Sequence, residues 1–262
     1  MDENPYVRGA SRRAVWKRWN SYKQTMDLPG HLAPRLLDVF HMEDTAAYHL
    51  AAVAVRGIDV DPKQVVPLLV SLSRREDPEL QAEVLESMRK LKQLPEVSIP
   101  AFRARLVDSD DAVRVQACLG LAVFREVARE AMNCLQTMLD SPGREDRRRA
   151  IKAIRRLQLP AGEKLPLYRR LVVGKDDVLR YHTVLGLFDL GPEAVPAIRE
   201  LRLSYDMEGT PWMWVIAALT RVDTPESRAA LNSIPEEKRQ EARRRIAPAY
   251  WRKNWVGFHK TN

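Results

Sequence analysis

Prolines 34, 67, 100 and 166 stand 33, 33 and 66 residues apart, with Asn133 in the vacant slot. A second proline series runs ahead of it at Pro29, Pro62 and Pro95. Asp44, Asp77, Asp110 and Asp176 keep the same 33-residue step. Behind the acids follow Ala51, Val84, Ala117, Ala150 and Thr183. Four residues further on come Val55, Met88, Leu121, Ile154 and Leu187. Apolar pairs four apart share a helix face, and a fixed period of this size marks a stack of helical hairpins. One such hairpin cannot bury its apolar face alone, so each copy must lean on the next.

The stretch Ile99–Leu121 shows the unit most clearly. It reads as two short helices about an acidic turn, with Phe102 and Leu106 on one face of the first. Pro100 is expected near the start of the first helix, where a missing N–H costs nothing. Asp77-Pro78 and Thr210-Pro211 read as a cap followed by a proline at the first helical position. A sixth copy has a shorter step, with Pro196 only 30 residues after Pro166.

The unit resembles the HEAT-like repeats of bacterial proteins. Their second helix opens Asp-x-x-Val-Arg-x-x-Ala-x-x-x-Leu. Asp110, Val113, Arg114, Ala117 and Leu121 match in full; Arg147, Ala150 and Ile154, and Asp176, Arg180 and Leu187, match in part. The resemblance spans roughly Pro29 to Thr220. It implies an all-α, right-handed α-solenoid of about six hairpins, whose second helices line a concave, partner-binding wall. It also implies that the Arg114, Arg147 and Arg180 column makes ladder contacts to turn aspartates. The expected organisation is a basic, aromatic N-terminal capping helix over 1–28, a repeat array over 29–222, and C-terminal capping helices with a basic, aromatic tail over 223–262.

The second helix of the fourth repeat is the most unusual. Arg144–Arg156 reads REDRRRAIKAIRR. Arg149, Lys152 and Arg156 are spaced for one helical face, and Arg148 and Arg155 flank them. These five cations are the candidate partner-binding residues, within a chain of net charge +8. A positive groove favours a protein with an acidic surface, or nucleic acid as the alternative. Trp16, Trp19, Trp251 and Trp255 lie in basic terminal segments and are candidate secondary contacts; the bland reading is that they cap the array. A solvated charged face remains the commoner explanation of such a helix.

Enzyme readings have little to stand on. None of the five histidines is followed by Glu, as the metal-dependent hydroxylases of this fold require, and no zinc or phosphate-loop spacing occurs. Asp110-Asp111 and Asp176-Asp177 recur at the repeat turn, where helices want acidic caps. A glycosylase-like enzyme on a HEAT-like shell is the weakest alternative, since that family's motif does not align here. No cofactor or metal is expected. Cys118 and Cys134 read as small apolar helix residues in a reducing compartment. The longest uncharged apolar window, Thr210–Thr220, is too short to span a bilayer, and the first thirty residues hold no apolar run. The expected location is therefore the cytoplasm.

Overall fold

The computed structural model describes residues 45–57 and 60–254, and every regular element among them is helical. The helices are α1 (Thr45–Ala54), α2 (Pro62–Leu72), α3 (Pro78–Leu91), α4 (Pro95–Ala104), α5 (Asp111–Leu121) and α6 (Ala128–Met138). They continue as α7 (Arg144–Arg156), α8 (Ala161–Val172), α9 (Asp177–Leu190), α10 (Ile198–Ser204), α11 (Trp212–Val222), α12 (Pro225–Asn232) and α13 (Glu236–Asn254). The chain divides into two compact units, Met1–Ala131 and Met132–Asn262. In the first, α1, α3 and α5 pack as one row, and α2 packs on α4 as another. The hairpins α2–α3 and α4–α5 join the rows. In the second, α7, α9, α11 and α13 form one row and α8, α10 and α12 the other, joined by the hairpins α8–α9 and α10–α11.

The repeat columns are the core. Ala51, Val84, Ala117, Ala150 and Thr183, and Val55, Met88, Leu121, Ile154 and Leu187, are at most 1% exposed. Small residues let the paired helices close up, and the longer side chains four positions on fill the space between hairpins. Where the first helix carries an aromatic ring, the second supplies a glycine. A Cβ added at Gly120 would strike the Phe102 ring, and one added at Gly186 would lie 2.8 Å from Cζ of Tyr168.

The caps follow the acidic column. Asp77 accepts from the Leu80 N–H, Asp110 from Ala112 and Val113, and Asp176 from Val178 and Leu179. Helix α7 starts instead at Gly143, without a side-chain cap, and places Glu145 and Asp146 in its first turn, where acids suit the helix dipole.

Several expectations are corrected. Pro62 and Pro95 hold the opening positions of α2 and α4, whereas Pro67, Pro100 and Pro166 lie inside α2, α4 and α8, five residues after each helix begins. All three are exposed, so the carbonyl left without a helix bond four residues earlier faces water. Pro196 breaks its helix outright: Gly191–Ala197 is a 3-10 segment and α10 begins at Ile198. Thr210 does not cap α11. Its hydroxyl accepts from Arg180 instead, and Pro211 takes the cap position. The last helix runs through Arg243, Arg244 and Arg245 to Asn254. Neither Cys118 nor Cys134 is a free thiol: both are disulfide-bonded, which removes the cysteine argument for a reducing compartment. Among the described residues, no helix is long and apolar enough to cross a membrane.

Candidate partner-binding face

Arg147 sorts the structural cations of α7 from the rest. Its guanidinium donates to the Ser141 and Pro142 carbonyls at 2.8 Å each, and its Nε to the cap carboxylate of Asp176 at 2.7 Å. It therefore closes its own turn and clamps α9 to α7. Arg180 does the same one repeat on, donating to the Gly174 and Glu208 carbonyls and to Thr210 Oγ1. Arg114 holds the Asp108 and Ser109 carbonyls and pairs with Asp111 on its own helix. Gln81, in the same column, donates to the Arg75 carbonyl six residues back, so an amide serves where a guanidinium is not needed. Burial alone would raise the Asp176 carboxyl pKa. The Leu179 N–H, Arg147 and the Val178 N–H together hold it below its ordinary value.

The five candidate cations divide differently. Arg148 makes a forked pair with Glu145 at 2.8 and 2.9 Å, and Arg149 reaches Glu145 at 3.3 Å. Arg155 forks onto Asp189 of α9 at 3.0 and 2.7 Å, a bridge between repeats. Exposed pairs of this kind contribute little to stability, about 0–1 kcal/mol. Lys152 and Arg156 have no ion-pair partner among the described residues. Trp16, Trp19 and Trp255 lie outside the described residues. Trp251 lies on α13, with its side chain outside them.

Tyr181 and His182 neighbour these cations on α9; in sequence they fall on the second helix of the fifth repeat, with no part in the site. His182 is half-buried, and its Nδ1 is buried without a partner. Burial, then Arg155, Lys152 and Arg148, push its pKa down to about 4, so the imidazole is neutral at physiological pH. Tyr181 is 40% exposed and meets the His182 ring edge-on at 5.1 Å. Trp212 and Trp214 are both half-buried. Trp214 packs edge-on against Phe188, and Lys238 lies over the Trp212 ring.

Two further sets of bridges were also missed. Arg103 forks onto Glu130, Arg169 onto Glu200, and Arg202 donates to Ser233. The three arginines are 66 and 33 residues apart, a signal present in the sequence. In the first unit buried His49 lies 2.8 Å from Glu83 and 3.2 Å from Asp77, joining α1 to α3. Asp110 and Asp176 are caps, as their recurrence suggested. Among the described residues no cluster of three or more His, Cys, Asp or Glu side chains could hold a metal.

Residues 33–122 match the family of HEAT repeats. No curated protein sequence matches the chain. The E. coli protein YibA is similar in structure, with TM-score 0.55 and 15% identity over 95% of this chain and 89% of that one. An engineered protein matches with TM-score 0.53 and 15% identity, over 81% of this chain and 66% of its own length. A computationally designed armadillo repeat protein for modular peptide recognition matches with TM-score 0.50 and 15% identity, over 73% of this chain and all of its own. Within each unit, stacked helices with buried repeat columns give the fold of HEAT and armadillo α-solenoids.

Proposed function

We propose that the chain is a non-catalytic scaffold that binds a partner protein through an acidic surface of that partner. The site is the basic face of α7, made by Arg148, Arg149, Lys152, Arg155 and Arg156. The array over 29–222 would present this face, with the terminal segments 1–28 and 223–262 as caps and their tryptophans as secondary contacts. The supporting observation is the surplus of charge. Arg147 and Arg155 have structural duties toward α9, while Lys152 and Arg156 answer to no acid among the described residues. A cation held on a rigid helix without a counter-charge is available to an incoming carboxylate. The fold supports the same reading, since stacked hairpins offer extended surfaces and the similar designed armadillo protein was made for peptide recognition.

The test is capture of the partner by the tagged chain, with and without nuclease, beside the variant Arg149→Glu/Lys152→Glu/Arg156→Glu. Capture should survive nuclease and be abolished by the triple substitution, with helical circular dichroism unchanged. Undiminished capture by the variant at physiological salt overturns the proposal. Loss of wild-type capture on nuclease treatment would mean a nucleic-acid ligand, whose binding should weaken steeply as salt rises.

A further inference from the structure

We infer that the site continues onto α9 and takes an extended acidic segment of the partner. One carboxylate of that segment is set against Arg149, Lys152 and Arg156, and an apolar or aromatic side chain a few residues on is seated against Tyr181. This rests on the reading of α7 given above and adds to it the neighbouring repeat and the form of the ligand.

Three observations carry it. The first is the charge balance of the face. Its own acids are already engaged, Glu145 by Arg148 and Arg149, and Asp189 by Arg155. The two cations left over therefore call for a negative group from outside. The second is Tyr181, the large exposed aromatic among the described residues of the second-helix row. It stands 33 residues after Arg148 in the same repeat column. Its ring rests edge-on against His182, so part of the cost of ordering it is met before a ligand arrives. The third is the character of His182, which lies close enough to Arg155, Lys152 and Arg148 to feel all three and stays neutral among them. It joins the charged part of the face to the aromatic part without adding a charge.

Helix spacing sets the ligand's form. Packed helices lie about 8–10 Å apart, and an extended segment of polyproline-II form advances about 3.1 Å per residue with about three residues per turn. Side chains three residues apart in such a segment share one face about 9 Å apart and therefore step from α7 to α9. Single-stranded nucleic acid fits less well, because it needs a track of cations and several stacking rings. Trp212 and Trp214 are half-buried and occupied by Lys238 and Phe188.

The test uses the full chain and a synthetic ten-residue peptide with a run of glutamates and a phenylalanine three residues beyond it. The comparison probes are the same peptide with alanine for phenylalanine, and a single-stranded oligonucleotide of equal charge. The phenylalanine peptide should bind about tenfold more tightly than the alanine version, the scale of one aromatic contact. Tyr181→Ala should erase that difference and Tyr181→Phe restore it. On saturation the His182 imidazole resonance should titrate at higher pH than in the free chain, because the bound carboxylates offset the surrounding cations. Equal affinity of the two peptides, an unmoved His182 titration or tighter binding of the oligonucleotide overturns the inference. If the triple α7 variant loses the captured partner while Tyr181→Ala changes neither capture nor peptide affinity, the reading of α7 stands and its extension to α9 falls.

Discussion

Gly120 and Gly186 are not turn residues; they sit inside α5 and α9, where glycine costs helix stability. Their reason is the ring opposite, Phe102 or Tyr168, packed where a Cβ would be. At the equivalent places of other repeats Leu69 and Leu135 stand in the ring's column, and Ser87 and Ala153 in the glycine's. Bulk is thus traded between the two helices of a hairpin. Gly120→Ala should lower stability by about 1–3 kcal/mol in chemical denaturation, the cost of overpacking. Adding Phe102→Leu should recover part of that loss; an additive double variant would contradict the pairing. His182 gives a second test at this scale. Its folded pKa of about 4 lies below the ordinary 6.5, so protonation favours the unfolded chain. Its stabilising contribution should be complete above about pH 6.5 and decline as pH falls toward 4. The variant His182→Gln should lack that part of the slope in denaturation midpoints measured across this window.

At the scale of the element, the period was legible because each hairpin repeats the same burial problem. The columns of Ala117 and Leu121 came straight from spacing, since a helix face that must be buried in every copy cannot drift far. The prolines misled because two series run five residues apart, and either could open a helix. The structure gives that place to Pro62 and Pro95, and leaves Pro100 on the exposed side, where a lost backbone bond is made good by water. The Arg147 clamp was readable from its column, but the finer fate of the α7 cations was not. Which of them Asp189 would claim depends on the distance between α7 and α9, and periodicity carries no distance. The same holds for Tyr181, whose exposure follows from packing two helices together and not from its neighbours in the chain.

At the scale of the whole molecule, the fold class was legible and the cysteines were not. Cys118 and Cys134 sit among apolar helix residues, so their sequence surroundings match those of buried thiols, and only spatial placement shows otherwise. Under non-reducing, denaturing conditions a thiol reagent should find no free sulfhydryl, and after reduction it should find both. Titration of two thiols without reductant would refute this. The charge of +8 is likewise a whole-chain property, and it attracts anions without choosing among them. On the proposed reading, choice comes from cations that lack local acids, as Lys152 and Arg156 do.

The reciprocal sizing of Phe102 with Gly120, and of Tyr168 with Gly186, also sets the grain at which such an array can be recombined. Grafting only the front half of one copy onto the rear half of another would drive a ring into a methyl group or leave a hole beside a glycine. A complete hairpin keeps this ring-to-glycine fit when it is moved. Duplication, deletion or laboratory shuffling of this chain should therefore succeed at breakpoints between copies and fail at breakpoints within them.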